Sequence, residues 1–87
     1  MQNYNRIEKD NYGTFYYLDD KSHRLDGPAR EWNDGTKSWW QNGVLHRIDG
    51  PAIEYLNGIK YWYYEDKYIK CSSQEEFERL IKMKLFW

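Results

Sequence analysis

This chain lacks most of what would announce a catalytic centre. Its 87 residues include one cysteine, Cys71, so no intramolecular disulfide is available, and a reducing compartment is the natural expectation. There are two histidines, His23 and His46, and no Gly-rich phosphate loop, nucleophile elbow or Cys/His zinc spacing. No window approaches the roughly 18 apolar residues of a membrane span, and the first residues have no apolar leader core, so the expected location is the cytoplasm and no membrane partner is expected. An excess of one charge is missing too. Thirteen basic residues stand against fourteen acidic ones, a net charge of −1. That removes the electrostatic footprint of a duplex-DNA binder and equally excludes an acidic mimic of DNA.

Aromatic residues are what the chain has in excess. Nine Tyr, five Trp and three Phe make up 20% of it. A single core is only marginally sufficient at this length, so aromatic packing is the expected staple. Each buried ring contributes about 1.5–3 kcal/mol.

The strongest pattern is internal. The segment His46-Arg47-Ile48-Asp49-Gly50-Pro51-Ala52 repeats His23-Arg24-Leu25-Asp26-Gly27-Pro28-Ala29 with Ile48 in place of Leu25. Gly13-Thr14, Gly35-Thr36 and Gly58-Ile59 open three copies, over 13–34, 35–57 and 58–71. The aromatic pairs Trp39-Trp40 and Trp62-Tyr63 sit at matching offsets, with Tyr17-Leu18 as the counterpart in the first copy. A period this short means stacked units that cannot each bury a face alone.

Asn33-Asp34-Gly35, Asn42-Gly43 and Asn57-Gly58 provide hairpin turns between aromatic and β-branched runs. Strands are predicted over 6–10, 14–18, 29–32, 36–40, 44–46, 52–56, 59–64 and 67–69. The first copy is one residue short. Setting residues 18–23 against 40–46 puts the gap opposite Gly43, which predicts a different inner turn in that copy. Asp26-Gly27-Pro28 and Asp49-Gly50-Pro51 read as structural corners. Asp bonds the backbone two residues on, Gly takes a conformation closed to other residues, and Pro starts the next strand. Arg24 and Arg47 precede these carboxylates by two residues and can pair with them.

After Cys71 the period changes. Ser73 and Glu76 form a capping box, and Phe77, Leu80, Ile81 and Leu85 recur at helical spacing. The expectation is an amphipathic capping helix over about 73–86 closing a single domain, 1–87. The fold class is then mainly β with one C-terminal α-helix, an antiparallel hairpin-repeat sheet.

The run Trp39-Trp40-Gln41-Asn42-Gly43-Val44-Leu45-His46-Arg47, followed by Asp49-Gly50-Pro51-Ala52, resembles the variant MORN-type repeat. The tail from Cys71 to Leu80 is similar to the closing helix of its phage and viral members. The third copy departs from the pattern, with Ile69-Lys70-Cys71 in place of His-Arg-x and no Asp-Gly-Pro after it. The resemblance implies a ribbon of antiparallel hairpins, and it tilts function toward interference with a host cell's defence or metabolism, in the host cytoplasm.

Residue chemistry argues for binding rather than turnover. Equivalent positions in successive hairpins lie about 9–10 Å apart, two strand spacings. His23 and His46, even with Asp26 and Asp49, are therefore too far apart for a zinc ion that needs ligands at about 2.0–2.1 Å. The same separation exceeds the roughly 6.5–9.5 Å of paired carboxylates in inverting glycosidases. No metal or cofactor is expected, and Cys71 reads as a packing residue.

Adjacent aromatics point to opposite faces of a strand, and one helix covers one face. The other is either curled over as core or exposed as a binding surface. Trp40 and Tyr63, with Arg47 and Arg24 as charged contacts, are the candidate partner-binding residues. The expected function is a non-enzymatic module that captures and inhibits a host macromolecule, most simply a host protein. Two alternatives stay open: a protein sequestering a nucleotide-like small molecule, with Arg24, Arg47 or Lys37 on its phosphate, and a structural repeat that forms homodimers through an edge strand.

Overall fold

The computed structural model describes residues 3–83. The chain opens with a hairpin of β1 (Arg6–Lys9) and β2 (Gly13–Leu18), and β2 turns into β3 (Lys21–Ser22). After the first corner come β4 (Arg30–Trp32), β5 (Lys37–Ser38), β6 (Trp40–Gln41) and β7 (Val44–Leu45). After the second come β8 (Ile53–Glu54), β9 (Lys60–Tyr64) and β10 (Lys67–Ile69), and α1 (Gln74–Met83) closes the chain. All pairings are antiparallel, in the order β1-β2-β4-β5-β8-β9-β10, with β3 on β2 and β6 on β7. The expected mainly β fold with one C-terminal helix is present. The expected extension of the helix over 84–86, with Leu85, lies outside the described residues.

Each copy contributes one long strand that splits between two partners. At Trp39 the amide donates to Ala52 O (2.8 Å) on one side, and the carbonyl accepts from the His46 amide (3.1 Å) on the other. Tyr16 does the same with Ala29 (2.8 Å) and His23 (3.0 Å). The equivalent of Trp39 in the first copy is therefore Tyr16, not Tyr17. All three inner turns are two-residue hairpins with both residues at positive φ: Asp19-Asp20 (50° and 67°), Asn42-Gly43 (52° and 83°) and Glu65-Asp66 (46° and 69°). This is the twist-matched hairpin geometry. The expected difference at the first inner turn is thus absent. The missing residue lies at the outer turn, where the Asp10 amide donates to Gly13 O (3.0 Å) but the Trp32 amide reaches Thr36 O (2.9 Å). With that correction the repeat is 23 residues, from Tyr16 to Trp39 to Trp62.

The inner hairpins are stitched to one another. Gly43 donates to Ser22 O (2.9 Å) and Arg24 to Trp40 O (3.1 Å). In the next pair Asp66 donates to Leu45 O (2.8 Å). A histidine adds a staple at each junction. His23 Nδ1 accepts from the Asn42 amide (2.9 Å), and His46 Nδ1 accepts from the Glu65 amide (3.0 Å). Both imidazoles therefore hold their Nδ1 unprotonated. His46 also meets the edge of Tyr64, with centroids 4.9 Å apart.

The core is narrow. Ala29, Ala52, Ile69 and Phe77 are its buried hydrophobics among the described residues. Phe77 is fully buried and sits on the helix, which starts as expected: Ser73 Oγ accepts from the Glu76 amide (3.2 Å). The return contact of Glu76 goes to the Ser72 amide (2.7 Å), one residue earlier than in the standard capping box. No helix among the described residues is long and apolar enough to cross a membrane.

Candidate functional site

The two faces of the sheet are built differently, and each corner is locked from one of them. Arg47 Nε donates to Asp49 (3.0 Å), and its Nη1 donates to Pro51 O (3.0 Å) and Glu54 (3.0 Å). Arg24 repeats this with Asp26 (3.0 Å), Pro28 O (3.2 Å) and Glu31 (3.0 Å). Each guanidinium also lies on a ring, Arg47 3.7 Å from the Trp39 centroid and Arg24 4.1 Å from that of Tyr16. Such a contact contributes about 0.5–2 kcal/mol, more as it is desolvated.

The clamp explains the corner glycines. Gly27 and Gly50 are not at positive φ. A Cβ on Gly50 would stand 2.6 Å from Arg47 Cζ, and one on Gly27 2.9 Å from Arg24 Cζ. The requirement is room for the guanidinium, not a special backbone conformation. Asp26 and Asp49 are likewise turned to the arginines. The bonds to an amide two residues on are made at the outer turns, by Asp10, Asp34 and Asn57. The electrostatics follow the same geometry. Burial opposes the charge on Arg24, but Asp26, Tyr16 and Glu31 outweigh it and raise its pKa. The hydrogen bond from Arg24 holds the Asp26 carboxyl below its ordinary value.

Between the corners lies a groove of about 540 Å³, walled by Arg24, Trp39, Gln41, His46 and Arg47 and rimmed by the exposed side chains of Leu25 and Ile48. Its arginines already face two carboxylates each, which leaves them poorly placed to hold a phosphate. In the third copy the helix takes over. Trp62 Nε1 donates to Gln74 Oε1 (2.7 Å), and Gln74 Nε2 donates to Ile48 O (2.9 Å). Corners and helix thus both cover the face that carries Trp39 and Trp62.

The opposite face carries Trp40 and Tyr63 and has no such cover. Phe15, Tyr17, Trp32, Trp40, Tyr55 and Tyr61 run along it, continued by Tyr63 and Tyr68. Neighbouring rings stand edge to face: Phe15 with Trp32 at 79°, Tyr55 with Tyr61 at 90° and Tyr61 with Tyr68 at 68°. Tyr55, Tyr61 and Tyr68 are 43%, 37% and 53% exposed. Arg30 lies over Trp40 at 4.7 Å while bonding Ser22 Oγ, and Trp40 Nε1 donates to Ser38 Oγ (2.7 Å).

The four candidate contact residues therefore separate. Trp40 and Tyr63 share the open face, whereas Arg24 and Arg47 belong to the corner clamps on the other side. The cation that accompanies Trp40 is Arg30. Its position in the repeat is held by Ile53 in the next copy, so repeat logic alone could not single it out.

Among the described residues no three His, Cys, Asp or Glu side chains converge as a metal site would require. Burial, helped by Glu76, raises the Cys71 thiol above its ordinary pKa. No family model matches this chain, and neither does any curated protein or solved structure.

Proposed function

We propose that the chain is a non-enzymatic binding module of the variant MORN type, which captures a protein partner on its open aromatic face. The observation that carries this reading is the asymmetry of the sheet. One face is partly roofed by corner loops and a helix, with a groove lined by ion-paired arginines between the corners, while the other leaves a continuous aromatic row partly exposed. Contiguous apolar surface of this kind on a small domain marks an interaction site. Tyr and Trp on a rigid sheet supply contact area at low entropic cost, and they are common binding hot spots. Blocking a host protein in the host cytoplasm is the role that fits the phage-like sequence resemblance.

The test is capture of partners from host lysate by the wild-type protein and by Trp40→Ala and Tyr63→Ala, each first shown to be folded by circular dichroism. Loss of a specific partner with both variants supports the reading. Retention of that partner by both rejects this face. Release of a chemically altered product, abolished in His46→Ala or Asp49→Ala, would replace binding with catalysis.

A further inference from the structure

The open face is divided into slots. Phe15, Tyr17 and Trp32 wall the first, Trp32, Trp40, Ile53 and Tyr55 the second, and Ile53, Tyr55, Tyr61, Tyr63 and Tyr68 the third. Their volumes are similar, about 330, 340 and 280 Å³. Successive slots share a wall, Trp32 between the first two and Ile53 with Tyr55 between the last two. They centre on β2, β5 and β9, which alternate with β4 and β8 in the sheet order. The slots therefore recur every two strands, about 9–10 Å.

That spacing selects among chain conformations. A polyproline II helix rises about 3.1 Å per residue with three residues per turn, so like positions recur every ~9.3 Å. An extended strand laid across the slots repeats every ~6.6–6.8 Å and falls out of register at once, whereas an α-helix comes near only at every second turn, ~10.8 Å, and is about 2 Å out by the third slot. The edge-to-face rings stand as walls and form no flush platform for flat bases or sugars. Charge adds direction. Glu8 and Asp10 line the first slot and Asp34 the second. The row also carries two cations, both engaged: Arg30 with Ser22 and Trp40, and Arg6, over the Tyr17 ring at 4.4 Å, with Glu8 (3.9 Å) and Asp20 (3.2 Å). Among the described residues Asp10 and Asp34 have no cationic partner and bond only backbone amides of their own turns.

We propose that the open face binds a proline-rich polyproline II segment. A proline at every third residue enters successive slots, and Lys or Arg residues of the segment face Asp10 and Asp34. Such a segment is largely preformed, so little ordering entropy opposes its docking. The inference rests on the open face being the binding surface, and the experiment separates the two claims.

The probe is a capped peptide of four Pro-Ala-Lys units, compared with the same twelve residues reordered so that the prolines alternate. The readout is the indole N–H resonances of the ¹⁵N-labelled full chain. The expected result is a shift of Trp32 and Trp40 with Trp39 and Trp62 unmoved, and affinity about tenfold higher for the period-three peptide. Trp32→Ala removes a shared wall and should weaken binding about tenfold. If that variant does not fold, Trp32→Leu serves, since it keeps bulk but not the ring. Equal affinity for the two peptides, or no shift at millimolar peptide, overturns the polyproline proposal. In parallel arms with oligothymidylate and cellohexaose, shifts at Trp32 and Trp40 without a peptide response leave the binding face standing and replace its ligand class. A peptide response confined to Trp39 and Trp62 overturns both claims.

Discussion

Trp39 and Trp40 are consecutive residues of the same type in the same strand region, and their surroundings have little in common. Trp39 lies under the Arg47 guanidinium, and its backbone is bonded to Ala52 and His46. Trp40, equally half-buried, lies on the opposite face beside Arg30 and Ser38, as one wall of a slot. The alternation of a β-strand places them on opposite faces, and the corner loops decide which face is core. The lesson is that aromatic content by itself does not locate the core here. The loops that return the chain do.

The comparison breaks most directly at the pair itself. Trp39→Ala should cost about 3 kcal/mol in urea denaturation, as large ring truncations do, against about 1 kcal/mol for Trp40→Ala. Equal losses would mean that both faces are core. A smaller effect is expected at the clamp, where Gly50→Ala should cost about 1–3 kcal/mol by overpacking against Arg47. That loss should largely vanish in an Arg47→Ala background, because the clash partner is gone, and a persistent loss would refute the clamp.

The histidine staple sharpens the contrast by pH. Burial lowers the His46 pKa below 6.5, against the opposing pull of Glu65. The unfolded chain then binds protons more readily than the folded one, so the contribution of His46 is complete above pH 6.5 and is lost as pH falls toward the folded value. His46→Asn removes the titration, and urea midpoints for it should fall less steeply with acid than those of the parent. Identical pH profiles would remove His46 from this role. The smallest effect is expected at Cys71. Its raised pKa should make alkylation at pH 8 slower than for an unstructured cysteine peptide, and a faster reaction would contradict the packing assigned to it.

The repeat, the hairpins and the helix start are legible in the sequence because turn residues and capping residues act locally. Asn42-Gly43 and Ser73 with Glu76 specify their geometry from neighbours alone. The register of the first copy was not legible, because Asp19-Asp20 adopts the same positive-φ turn as Asn42-Gly43 without any glycine. Counting from the glycines therefore put the missing residue at the wrong turn and paired Tyr17 with Trp39. The role of Gly50 was hidden for a different reason. It depends on a guanidinium placed there by stacking on Trp39, a contact between residues eight positions apart, one between β5 and β6 and the other in the corner after β7. The open face was expected, but assigning Arg47 to it failed because a charge beside an aromatic in sequence need not lie on its side of the sheet.

The junction chemistry makes the number of copies an adjustable quantity. His23 meets the turn of the second copy as His46 meets the turn of the third, so a duplicated middle unit, residues 24–46, presents the same acceptor to its successor and the same amide to its predecessor. Ile69 occupies the third histidine position and offers no such acceptor. The molecule is thus lengthened from within rather than from its helical end, each inserted unit widening the sheet by two strands, about 9–10 Å. Reach across a target could then be set by copy number, as a ruler is set by its graduations.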